Sequence, residues 1–341
     1  GETWSEQRFV SFYASADYYY KNKYVLNVSF RTDGSSNFGS DKQFNPNWAA
    51  GAAWNVSEED FMASLKPVLN RLTLRIATGF TGNINRSVSP QMIISYYDDY
   101  RNISNNIYHI GKVVSPPNPN LRWEKTQDVK VALDFGMFND RLTGIVEGYY
   151  RKSKDIVTGV QVLSSTGFTQ QKYNTANIDN KGIEATLNGT PVKTKDFQWT
   201  TSMNYSTNKN ELLSLSNDQF VSSGYSDQGS TGEPLQTTTH RIQEGQPIGN
   251  FWGYKSIDID ENGHWIIEGA DGSPKPISQL QPTDKQIIGN GLPKHYLNWN
   301  NTLNWKNFDF NMTMRGAFGF DILNMPRLQY ESPVMLSRGN V

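Results

Sequence analysis

Cysteine is absent from the 341-residue chain, which removes thiolate zinc sites, thiol nucleophiles and disulfide staples at once. Long apolar runs are absent too. No segment approaches the ~18 consecutive apolar residues of a membrane-spanning helix, so any passage through a membrane is by strands. An excess of one charge is also missing: 32 basic residues face 33 acidic ones for a net charge of -1, so there is no electrostatic footprint for nucleic acid or for anionic lipid. Histidine is scarce, and His109, His240, His264 and His295 lie scattered, without metal-ligand spacing. Neither Gly-x-Ser-x-Gly nor a phosphate-cradling Gly-rich loop occurs. Carboxylate pairs such as Glu58 with Glu59 and Asp98 with Asp99 are sequence neighbours that solvate separately and do not form an acid facing its base. Catalysis is therefore not expected. No initiator Met or signal peptide precedes Gly1, as in a mature chain or a piece of something longer.

What is abundant is aromatic: 17 Tyr, 17 Phe and 9 Trp in a background rich in Asn, Ser and Thr. With a mean hydropathy of -0.61, this suits strands that show one face to lipid and the other to water. Period-two alternation recurs in segments of about ten residues, the length with which a tilted strand crosses an outer membrane. Leu26, Val28 and Phe30 alternate with Asn27, Ser29 and Arg31; Leu72, Leu74, Ile76 and Phe80 alternate with Thr73, Arg75, Ala77 and Gly79. Further runs cover 9–20, 48–57, 127–138, 142–151, 183–188, 199–206, 297–305 and 308–318, about ten strands in all. A half-buried strand of a soluble sandwich would alternate in the same way. The connections separate the two readings. Those at 21–23, 139–141, 193–196 and 306–307 are short, whereas 82–121, 152–177 and 207–294 are long, which is the asymmetry of a transmembrane barrel with long extracellular loops. The link from Ser57 to Asn70 is the exception, and its acidic Glu58, Glu59 and Asp60 suggest a small helix. The fold class expected is all-β, an antiparallel transmembrane β-barrel section.

Several stretches then carry a resemblance: Arg31 to Gly39, Asn118 to Thr126, Ala176 to Glu184, Phe197 to Asn210, Gly249 to Lys255 and Ile287 to Lys294. In this order they resemble the SusC/RagA family of TonB-dependent outer-membrane transporters of Bacteroidetes-type bacteria. The resemblance implies a barrel of about 22 strands, of which the chain supplies roughly ten, with the plug and terminal strands absent. Ten strands alone would leave two unpaired edges in lipid, so a larger assembly is expected. It also implies import of a nutrient oligomer, a glycan first and a peptide second. Partners would be a SusD-like surface lipoprotein, the TonB-ExbB-ExbD complex acting through the missing N-terminal part, and the surrounding lipid of the outer membrane. A secreted β-rich carbohydrate-binding or adhesive protein is the alternative outside transport.

Aromatic residues in the long loops are the candidates for substrate contact, because flat rings stack on sugar faces: Trp123, Tyr173, Trp252, Tyr254 and Trp265. Packing within the loops, or against a capping lipoprotein, competes for each. Arg31, Arg75 and Arg315 fall on the lumen-facing set, either to bind anionic groups or to pair with carboxylates of wall or plug. No cofactor is expected. Asp258, Asp260 and Asn262 before Gly263 have the spacing that opens a calcium loop, but Gly269 stands where the closing Glu belongs, so an Asx-rich turn is the competing reading.

Overall fold

The computed structural model describes residues 7–39, 42–83, 91–99, 108–216, 221–232 and 236–330. Strands β1 (Phe9–Tyr20), β2 (Tyr24–Ser35), β3 (Phe44–Asn55) and β4 (Leu69–Asn83) open a meander. A separate hairpin follows, β5 (Ile93–Asp99) with β6 (Tyr108–Ser115). The meander resumes with β7 (Glu124–Met137), β8 (Leu142–Gln161), β9 (Gln170–Lys193) and β10 (Phe197–Ser214). Short strands come next: β11 (Tyr225–Ser230), β12 (Thr238–Gln243), β13 (Asn250–Gly253), β14 (Ser256–Ile259), β15 (Trp265–Glu268), β16 (Pro274–Pro276) and β17 (Gln286–Asn290). The wall is then completed by β18 (His295–Trp305) and β19 (Phe308–Phe318), before a short helix α1 (Met325–Tyr330).

Ten strands form one antiparallel sheet in the order β1-β2-β3-β4-β7-β8-β9-β10-β18-β19, an open section of barrel wall. Directly paired residues share a face, so the ladder sorts side chains into rows. One row runs Leu74, Leu133, Val146, Ala185, Tyr205, Leu297; the adjacent row on the other face runs Arg75, Ala132, Glu147, Glu184, Ser206, Tyr296. The apolar face is uncovered: Ile76, Val131 and Ile183 are each about half exposed, as expected of surface that lipid covers. Among the described residues no helix is long and apolar enough to cross a membrane; the strands do so. At the first tight turn Lys21 and Asn22 both take positive φ, 50° and 54°, which matches the twist of the flanking strands.

Three connections differ from their expected form. The 152–177 connection is mostly a continuation of the wall, since β8 and β9 stay paired out to Gln161 and Gln170. Beyond the membrane this hairpin meets both water and packed loops, with Val160, Thr175 and Ala176 buried, and alternation no longer marks a strand. The link after β3, expected to hold a small helix, forms two 3-10 turns, Val56–Glu58 and Asp60–Met62; Pro67 disfavours helical backbone just before it. Likewise β10 runs on to Ser214, and the remainder of the 207–294 connection holds a four-stranded sheet, β11-β12-β13-β17, and a three-stranded one, β14-β15-β16.

Candidate functional site

At the long-loop end the six motif stretches meet in two polar nodes. In the first, Asn174 donates from its side chain to the carbonyls of Arg122 and Asp155, both at 2.7 Å, and accepts from the Arg122 backbone N–H at 3.0 Å. Asn118 donates to the Lys172 carbonyl at 2.7 Å, and Arg122 pairs with Asp155 at 2.5 Å. Apolar residues seal this node. Trp123 stacks on Phe38 with ring centroids 4.5 Å apart and donates to the Gln43 carbonyl, while Leu121 and Ala176 are almost fully buried beside them. Gly39 is required for close approach: a Cβ there would lie 1.6 Å from the Pro119 carbonyl oxygen.

The second node is built from asparagines of four motifs. Asn210 on β10 bonds the Asn180 side chain at 2.9 Å and accepts from the Ile248 N–H at 3.0 Å. Asn290 on β17 donates to the Ile248 carbonyl at 3.1 Å and to Asn250 Oδ1 at 2.6 Å. Leu212, buried to 1% exposure, exchanges backbone bonds with Gln246 and Gly245. A buried amide must find partners or lose about 1–3 kcal/mol, so these side chains fix the loop sheet to the wall. Their importance is visible in the sequence only as membership of the motifs.

The five candidate aromatics are not gathered into one cleft. Trp123 is 4% exposed, spent on the first node. Tyr173, on β9, is half-buried and donates its hydroxyl to Gln171. Trp252, on β13, carries the Arg241 guanidinium 3.6 Å from its ring centroid, and the same guanidinium lies over Tyr225 at 4.1 Å and forks onto Asp227. Tyr254 is 38% exposed with Lys285 near its ring. Trp265, on β15, is 53% exposed and offers the most open ring of the five.

On the polar face, Arg31 pairs with Asp33 at 2.6 Å, a carboxylate that also accepts from Ser11 and Asn47. Arg75 forks onto Asp134. Arg315 is exposed, has no ion pair among the described residues, and lines a hollow of about 410 Å³ with Glu184, Asn204 and Tyr296. A larger hollow of about 690 Å³ lies near Arg31, between β1 and Trp123.

Asp260 sits in the β14–β15 turn and accepts from the backbone N–H of His264 and Asn262 at 2.7 and 2.9 Å, with His264 Nδ1 at 3.2 Å. The His264 N–H foremost holds its carboxyl below the ordinary range. Asp258 accepts from the N–H of Ile259, and Gly263 takes φ of 84°. Asp260 thus closes an Asx-type turn through the Asn262 N–H. Deeper in the loop, Asp284 is 1% exposed and accepts from Lys275 at 2.7 Å and from the N–H groups of Gln281 and Ala270. Lys275 above all brings its carboxyl down to about 2.

Comparison with known proteins agrees with this architecture. The family model described as "TonB dependent receptor-like, beta-barrel" matches residues 2–333. TonB-dependent receptor P26 of Formosa agariphila is 31% identical over 93% of this chain and 32% of its own length. TonB-dependent receptor SusC of Bacteroides thetaiotaomicron is 30% identical over 90% of this chain and 31% of its own. Among solved structures, the RagAB peptide importer in its closed-closed state superposes with a TM-score of 0.81 at 22% identity, covering 94% of this chain and 34% of that one. The chain therefore spans about a third of the length of the relatives it matches. It belongs to the TonB-dependent receptor β-barrel family, as a section of the wall of an outer-membrane receptor of the SusC/RagA type.

Proposed function

We propose that this wall serves TonB-dependent import of a nutrient oligomer, a glycan in first place, captured beneath a SusD-like lipoprotein cap. The observation that carries the reading is the ordered loop platform. The first polar node ties the β6–β7 connection to β8 and β9, the second fixes the four-stranded loop sheet to the wall, and Trp265 and Tyr254 stay open in the loop region that follows. Rigid rings held on a scaffold stack on sugars without losing much conformational entropy on binding. The wall's part in transport is passive: a polar face on which Arg31, Arg75, Lys130 and Arg151 are already paired with carboxylates lets a hydrated substrate pass without seizing it. The secreted soluble alternative is set aside by family membership.

Peptide import is the second reading. The RagAB proteins that share the fold are described as peptide transporters, and unpaired Arg315 near Glu184 would suit a peptide's charged groups. Uptake of fluorescent oligosaccharides and peptides by cells carrying the full-length receptor, with and without TonB, distinguishes them. The expected result is TonB-dependent glycan uptake, with Trp265→Ala weakening apparent affinity about tenfold, or ~1.4 kcal/mol. Uptake of peptides alone would favour the second reading, and uptake of neither would overturn both.

A further inference from the structure

We infer that the outer rim of the lipid-facing surface binds the phosphate groups of an anionic glycolipid of the outer leaflet, through Lys125, Lys152, Lys154, Lys181 and Lys209. The register places them. Lys125 on β7 stands directly opposite Lys154 on β8, and Lys181 on β9 directly opposite Lys209 on β10. Lys152 lies between, opposite Gln127. All five continue the set that holds Val129, Val131 and Leu133 on β7, Val146 and Tyr150 on β8, Ile183 on β9 and Tyr205 on β10, so they belong to the lipid face.

Aromatics flank them on the same face. Phe30, Trp48 and Phe80 are successive partners in one row that continues to Gln127 and Lys152. The next row inward runs Val129, Tyr150, Lys181, Lys209. Aromatic girdles sit at headgroup level, and these strand ends carry the long loops, which face outward. The lysines lie toward the long-loop ends of their strands, beyond the apolar rows of Val131, Leu133, Val146 and Ile183 on the same face, where the headgroup region follows the acyl region of the outer leaflet.

Charge pairing on the two faces differs. On the polar face Arg75, Lys130 and Arg151 each hold a carboxylate: Asp134, Glu147 and Asp128. None of the five rim lysines has an ion pair among the described residues, and four of them are exposed. The carboxylates sharing their surface are Asp179, opposite Lys152 and bonded by the Tyr150 hydroxyl, and Glu211, opposite Asp179. Five cations against two anions leave the patch positive. Like charges directly opposite in a ladder are destabilising, and two such pairs on the same face, with Lys152 on the row between theirs, break local consistency in the way that functional sites do. A polyanionic headgroup resolves the repulsion, since ammonium groups bind phosphate as point charges. The near-zero net charge of the chain gave no footprint for anionic lipid because the patch is assembled from four strands by register.

The test uses the full-length receptor in detergent, titrated with bis-phosphorylated lipid A and read by native mass spectrometry. The expected result is retained lipid A whose apparent affinity falls at least about fivefold in Lys125→Gln with Lys154→Gln, and again in Lys181→Gln with Lys209→Gln. Dephosphorylated lipid A should show the same loss on the unaltered protein. Added salt should weaken lipid A binding to that protein too, which keeps the test valid if the variants fail to fold. Phosphate-independent or salt-independent binding, unchanged affinity in folded variants, or full competition by inorganic phosphate would each overturn the proposal.

Discussion

At Glu59 three donors of the wall converge on one carboxylate: Lys23 Nζ at 2.9 Å, the Tyr24 hydroxyl at 2.7 Å and Trp54 Nε1 at 3.1 Å. The Lys23 bond foremost, then those of Tyr24 and Trp54, hold its carboxyl at about 2 against an ordinary 4.5. A carboxyl depressed in the folded state contributes stability that is complete above its unfolded value and is lost as pH falls through the folded one. The link after β3 should therefore stay docked at pH 5 and loosen between about 4.5 and 2. Hydrogen exchange of residues 57–68 across that range checks this, and Glu59→Gln should remove the pH dependence. At the second node, Asn290→Ala leaves the Ile248 carbonyl and Asn250 without their shared donor. The expected cost is about 1–3 kcal/mol, seen as faster proteolysis within 215–294 while the wall strands resist. None of these partnerships was legible in the sequence. Asn290 and Asn250 lie 40 residues apart, and polar contacts over that separation leave no periodic trace.

The wall strands were legible as elements because one face meets lipid and the other water, which imposes a period of two wherever both solvents are present. Val129, Val131 and Leu133 on β7 announce themselves; Ile156 and Val160 on the extension of β8 do not, because that hairpin stands in water or against loops. The strands of the loop sheets, such as β13 with four residues and β16 with three, are too short for any period to show. For Trp123, where substrate contact and loop packing compete, Phe38 and the Gln43 carbonyl hold the ring in packing, since a loop can carry its own core. Gly39→Ala tests that core: the added Cβ would collide with backbone, which cannot yield as a side chain would. Loss of docking between the β2–β3 and β6–β7 connections is expected, with at least about 1–3 kcal/mol of local destabilisation, measured by limited proteolysis. An unchanged digestion pattern would contradict the role given to the first node.

For the molecule as a whole, the central claim is that one face of the ten-stranded sheet meets lipid and the other lines an aqueous lumen. These 341 residues contain no cysteine, so a thiol placed in this section has no competitor within it. Single cysteines placed in the full-length receptor along β4, at Leu72, Thr73, Leu74, Arg75, Ile76 and Ala77, can be spin-labelled in membranes and probed with oxygen and a water-soluble nickel chelate. The account predicts strict alternation: oxygen-accessible labels at Leu72, Leu74 and Ile76, and chelate-accessible labels at Thr73, Arg75 and Ala77. Equal chelate access at all six positions would contradict it.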